Sequence, residues 1–118
     1  MTGQEIRTVG TAAATGLSNE IQIPSGFTLV GVAIPIEVTS TTFTILHSEK
    51  TGGTFLTLKD PLGIYGTAGN AITFTIGATS LGIFQIPPAV SALLYSYMKV
   101  DLDQNEAAAI TLIFKDLA

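Results

Sequence analysis

The sequence predicts an all-β domain, an antiparallel β-sandwich or jelly roll of about eight strands with an extended N-terminal arm. Three observations predict it. β-branched and aromatic residues alternate with Thr, Gly and Ala in short runs, the pattern of half-buried strands. Turn residues punctuate the chain at short intervals. No segment repeats its apolar residues convincingly at helical spacing.

The elements follow in order. Residues 1–19, MTGQEIRTVGTAAATGLSN, carry neither a helical nor a strand period, and Gly3, Gly10 and Gly16 break them up. They are read as an arm, held by the domain or by a neighbouring chain, with residues 20–118 forming the sandwich domain. Glu20 to Ile23 is a short strand closed by the turn Pro24-Ser25-Gly26. From Leu29 to Val38, Val30, Val32, Ile34, Ile36 and Val38 share one face. Pro35 lacks an N–H for a ladder, so this strand is expected at an edge or bulged there. Phe43 to Ser48 follows, and Lys50-Thr51-Gly52-Gly53 turns the chain into Thr54 to Lys59. Asp60-Pro61-Leu62-Gly63 and Gly66 to Asn70 are further turn signals. Ala71 to Ile76 alternates cleanly, and Gly82 to Ile86 ends at Pro87-Pro88. Pro88 to Ala92 reads as one helical turn. Leu93 to Leu102 and Ala108 to Lys115 close the domain as an antiparallel pair around the loop from Asp103 to Ala107.

Composition narrows the function. Of 118 residues, 47% are hydrophobic but only 12% are charged, about half the usual charged share. Five cationic side chains spread along a chain of net charge −4 argue against a nucleic-acid surface. Mean hydropathy is +0.51, yet the longest apolar run, Phe27 to Ile36, is interrupted by Thr28 and Pro35. It falls short of the roughly 20 residues a spanning helix needs, so no membrane partner is expected. The opening MTGQEIRTVG has no basic region followed by an apolar stretch, so no signal peptide is expected and synthesis is assigned to a cytoplasm. Without Cys there is no disulfide framework and no thiolate chemistry.

Candidate chemistry is sparse. His47 is the only histidine, and a catalytic triad or His-based zinc site would have to use it. It is read as a surface or turn-proximal side chain. Asp101-Leu102-Asp103-Gln104-Asn105-Glu106 resembles the start of a calcium loop, but Glu106 stands where that loop needs Gly and Leu112 where it needs the bidentate acid. It is read as a solvated hairpin tip. The acids Glu37, Glu49 and Asp60 lie near strand ends, without a readable pairing. The Gly-rich stretches match no phosphate-binding motif. No catalytic residue, metal or cofactor is therefore assigned, and the chain is read as a non-enzyme. Tyr95 and Tyr97, two apart, are expected to share a strand face with Lys99, as a platform for sugar rings or as rim aromatics of a protein interface. Thr-rich strands expose hydroxyls that a neighbour can cover cheaply, which suits a repetitive protein assembly and a homo-oligomer.

The stretch GFTLVGVAIPIEVTSTTFTILHSEKTGGTFLTLKDPLG, from Gly26 to Gly63, resembles small β-sandwich proteins of tailed bacteriophages. The resemblance lies in Thr42-Phe43-Thr44-Ile45-Leu46-His47-Ser48, Gly53-Thr54-Phe55-Leu56-Thr57-Leu58 and the turn Asp60-Pro61-Leu62-Gly63. It continues through Ile86-Pro87, Tyr97 to Val100 and Ile110 to Lys115. The chain departs from the family in carrying Lys50 to Gly53 in place of an acid-Gly turn, and Phe55 in place of Trp or Tyr. The resemblance implies a virion structural protein, a capsid decoration or cement protein bridging capsomers. It implies the major capsid protein or other virion proteins as partners, and no catalytic residues. Ile6, Val9 and Leu17 are the expected arm anchors, with Arg7 as a polar clamp. A tail, neck or head-fibre component, and a carbohydrate-binding or adhesin domain, are the alternatives.

Overall fold

The structure is a computed structural model, and it describes residues 4–35, 37–64, 67–77 and 82–116. Among these residues lie nine strands: β1 (Glu5–Ala12), β2 (Ile21–Gln22), β3 (Thr28–Ile34), β4 (Thr42–Ser48), β5 (Leu56–Thr57), β6 (Phe74–Thr75), β7 (Gly82–Gln85), β8 (Tyr97–Leu102) and β9 (Ala108–Lys115). One helical turn, α1 (Pro88–Ser91), sits between β7 and β8. One sheet has the order β1-β9-β3-β7, and the other β2-β8-β4-β5, with β6 also on β4. Every pairing of named strands is antiparallel.

The connectivity defines the fold more narrowly. β5 pairs with Leu46 and His47 of β4, and β6 pairs with Thr42 and Phe43. The two short strands thus act as one interrupted strand. Counted so, the described residues make eight strands, paired first with last, second with seventh, third with sixth and fourth with fifth. That is a long hairpin rolled so that successive arms fall into alternate sheets, a double-sheet jelly roll.

Inward-facing residues of both sheets make the core. From β9 come Ala108, Ile110, Leu112 and Phe114; opposite them stand Phe43, Ile45, Met98, Val100 and Leu102, all buried. Phe43 stacks on Phe74 at 5.0 Å and meets Phe84 edge-on at 6.1 Å, the two geometries that aromatic quadrupoles favour. Each such side chain contributes roughly 1.5–3 kcal/mol on burial. Ser91 ties α1 to the core by donating its hydroxyl to the Leu29 carbonyl.

Several local expectations are corrected. Residues 5–12, expected to lack a strand period, are β1, paired with β9 along their whole length, Glu5 opposite Lys115 to Ala12 opposite Ala108. Within this chain the segment is an edge strand of the sandwich. Its period is hidden because the inward positions after Ile6 are Thr8, Gly10 and Ala12. A β-carbon on Gly10 would come within 2.6 Å of Ile21 Cδ1, so the volume there is filled from the opposite sheet. In β3 the register shifts between Leu29 and Gly31, so Val30 is a bulge and the buried set is Leu29, Val32 and Ile34. The strand ends there, before Pro35; Ile36 lies outside the described residues. The strand expected from Leu93 starts only at Tyr97, because Ser96 has φ of 67° and turns the chain.

Candidate functional site

Where the structure leaves apolar surface uncovered is the first guide to a site. Among the described residues the exposed large apolar side chains are Ile6, Val9, Leu56, Leu62, Ile64, Ile83, Leu93 and Tyr95. All but Ile6 fall on three surfaces.

The first is the outer face of the β1-β9-β3-β7 sheet. Val9, Thr111, Ala33 and Ile83 form one row across all four strands. Val9 and Ile83 are 60% and 66% exposed. Beside that row Ile113 is buried, and a β-carbon on Gly31 opposite it would lie 3.5 Å from Ile113 Cδ1, an ordinary contact. The charges of these strands gather at one end. Arg7 Nε donates to Glu5 Oε2 at 2.7 Å. This hydrogen bond holds the Glu5 carboxyl below its ordinary range, with Lys115 opposite adding to the effect.

The second surface is built by a loop and α1. The Asp60 carboxylate accepts the Ile64 N–H at 3.0 Å, and its backbone exchanges hydrogen bonds with Gly69 and Asn70. The buried Asp60 thereby orders a loop that holds Leu62 and Ile64 outward. With Leu93, Ile72 and Val90 they line a groove of about 150 Å³. Apolar residues inside a Pro- and Gly-marked turn, Pro61-Leu62-Gly63-Ile64, were the available sequence signal for this surface, which the sequence reading passed over.

The third surface lies at the end of the sandwich where β4 finishes. Tyr95 stands between two open grooves of about 380 and 350 Å³. Its ring meets the His47 ring at 4.5 Å, and its carbonyl lies 2.6 Å from His47 Nε2. Its hydroxyl donates to Glu49 Oε1 at 2.6 Å; that bond, with burial and the carboxylate charge, raises the phenol pKa. His47 is half-buried at the strand end, engaged by Tyr95 rather than by an acid. The shared tyrosine face is corrected: Ser96 sends Tyr97 to the outer face of the second sheet, opposite Gln22 and Ser48. Lys99 there lies 4.6 Å above the Phe55 ring, a cation–π contact.

The other sequence candidates separate. Arg7 and Val9 share the outer face of β1, Ile6 points the other way, and Leu17 bridges to Asp101 away from that strand. The acids Asp103 and Glu106 do not converge on a cation position. Asp103 Oδ1 accepts the Thr41 N–H at 2.9 Å. Glu106 accepts the Thr39 and Ser40 N–H groups at 2.9 and 2.7 Å. Burial pushes both carboxyls up, but hydrogen bonds from residues 39–42 outweigh it and leave both lowered. Asp101 is raised by burial. Among the described residues no group of three or more His, Cys, Asp or Glu side chains is arranged to hold a metal ion. Glu49 and Asp60 line different grooves. No described helix is long and apolar enough to cross a membrane.

The fold and these surfaces define a double-sheet jelly roll with exposed apolar side chains on several sides. No known family, curated protein or solved structure matches the chain.

Proposed function

We propose that this chain is a virion structural protein, a decoration or cement protein that binds the assembled head of a tailed phage. The observation that carries the reading is the distribution of exposed apolar side chains. All but Ile6 lie on three separate surfaces of one small jelly roll, in a chain where only 12% of residues are charged. A protein that bridges capsomers needs several sticky sides. Burying a Leu or Ile side chain recovers about 1.5–3 kcal/mol, so each surface gains on contact. Binding only the assembled lattice stabilises it by RT ln(1 + [L]/Kd) per site, multiplied by the symmetry of the shell. The resemblance across residues 26–63 supports the phage context. The expected partners are the major capsid protein or other virion proteins.

Co-sedimentation with assembled phage heads and with free capsid subunits tests this. Binding to heads alone is expected, weakened by Val9→Asp and by Leu62→Asp with the fold intact by circular dichroism. Equal binding to free subunits, or heads that bind the wild type and both variants alike, overturns it. The adhesin reading has its own supporting observation, the exposed Tyr95 ring between two grooves. Glycan-array binding lost in Tyr95→Ala would favour it over the decoration role.

A further inference from the structure

The edge of β1 carries an inference that does not depend on the capsid reading. β1 is an eight-residue edge strand, and an open edge of that length is a template for another chain unless it is blunted. The direction of its free groups can be read from two bonds. Gln4 accepts from Asp116 on the β9 side. On the other side, Thr11 exchanges hydrogen bonds with Asn19, through both its N–H and its carbonyl. Even-numbered residues therefore bond to β9. The N–H and C=O groups of Glu5, Arg7 and Val9 point off the edge, and among the described residues only Thr11 of β1 has these outward groups capped from within the chain. The usual protections are missing from the open stretch. It holds no Pro, no Lys and no bulge, and its two charges neutralise each other at 2.7 Å.

We propose that this edge takes a second copy of the chain, the two β1 strands pairing antiparallel about a two-fold axis at Ile6. Charge selects that register. Residues with outward backbone groups must face each other, so Arg7 can stand opposite the partner's Glu5, Arg7 or Val9. Opposite Arg7 it meets a like charge, which is destabilising. Opposite Val9 it gains no ion pair. Opposite Glu5 the symmetry makes two reciprocal ion pairs, and the four charges close into an alternating quartet on the outer face. Glu5 and Arg7 then form the hydrogen-bonded pairs. Ile6 meets the partner's Ile6 as a non-hydrogen-bonded pair, with Cα atoms about 4.5 Å apart. Ile6, 37% exposed in the single chain, is covered there. The two four-stranded sheets become one continuous sheet with their outer faces on the same side. So small an interface makes a weak dimer in free solution.

Because the chain has no Cys, Ile6→Cys reports the register directly. Mild oxidation is expected to give a reducible dimer well ahead of an Ala14→Cys control on an exposed turn. Sedimentation over a concentration series is expected to show dimerisation weakened about tenfold or more by Arg7→Glu and by Glu5→Arg alone. The double swap is expected to restore it. A mixture of the two single variants should also pair, because each then meets its opposite charge; this shows that both remain folded. A chain that stays monomeric throughout, with Ile6→Cys cross-linking no faster than the control, overturns the proposal. So does a dimer that both charge variants leave intact, since it uses another surface.

Discussion

The two ends of the β4–β8 pair use the same kinds of side chain in opposite ways. At the end where β4 begins, Asp103 and Glu106 spend their oxygens on the N–H groups of residues 39–42. At the other end, about six residues and roughly 20 Å away, Glu49 accepts a single tyrosine hydroxyl beside two open grooves. The first end is a latch. Two loops 66 residues apart in sequence are joined through Ser40 and Glu106, and Ser40 is buried. The second end is a mouth, with an aromatic ring that few neighbours hold. A carboxylate in this protein is structural where it satisfies backbone donors, and available where it meets only a side chain at the rim.

The sharpest way to break the latch is Gly16→Ala. Gly16 sits against the same hairpin, its carbonyl accepting the Leu102 N–H at 3.0 Å. Its φ is +83°, and a β-carbon would lie 2.4 Å from the Gln104 carbonyl oxygen. A left-handed conformation costs a non-glycine residue roughly 1–2 kcal/mol, and overpacking adds about 1–3 kcal/mol. Urea unfolding should show a loss of about 3 kcal/mol. Gly52→Ala, with φ +67° but open space around it, should lose only the conformational part.

Glu106→Ala should cost about 2 kcal/mol, because it removes the acceptor of the buried Ser40 N–H and hydroxyl. Glu106→Gln keeps an acceptor and should lose less. The latch should also fail in acid. Asp103 and Glu106 have folded pKa values below their unfolded ones. Their contribution is therefore complete above the unfolded value near 4 and is lost as pH falls through the folded value. Asp101, raised by burial, acts with the opposite sign and gives back a little stability on protonation. Thermal unfolding from about pH 7 to about pH 3 should show a net fall, flatter in Glu106→Gln. An unchanged slope in that variant would mean the latch acid is not the titrating group.

How much of this the sequence showed depends on where each residue's partner lies. β4, β8 and β9 were legible because their inward positions are large and apolar: Phe43 and Ile45, Val100 and Leu102, Ile110 to Phe114. β1 was not, because Gly10 yields its space to Ile21 on the other sheet. No local pattern records that exchange. The bulge at Val30 shifted the apparent face of β3 by one residue. Tyr95 and Tyr97 looked like one platform because strand alternation was assumed through Ser96, whose positive φ breaks it. The latch joins acids to loops over 61 to 67 residues, a distance across which spacing carries no information. The turn around Leu62 was visible as a turn, while its role in exposing apolar side chains depends on a buried Asp60 that only the fold reveals.

The mouth gives the smallest effect on stability and the most specific readout. Tyr95 is 52% exposed, so Tyr95→Ala removes a rim ring and one surface hydrogen bond. Neither should shift stability as far as Glu106→Ala does. The ring's contact with His47, at 4.5 Å, should appear in solution as a ring-current displacement of the imidazole proton resonances. Tyr95→Phe should retain that displacement and lose only the Glu49 hydrogen bond. Tyr95→Ala should abolish it while leaving the melting transition close to wild type. If Tyr95→Ala instead destabilised the chain as much as Glu106→Ala, the distinction between latch and mouth would fail. A side chain with that much structural weight would not be free to meet a partner, and the groove it borders would be part of the scaffold.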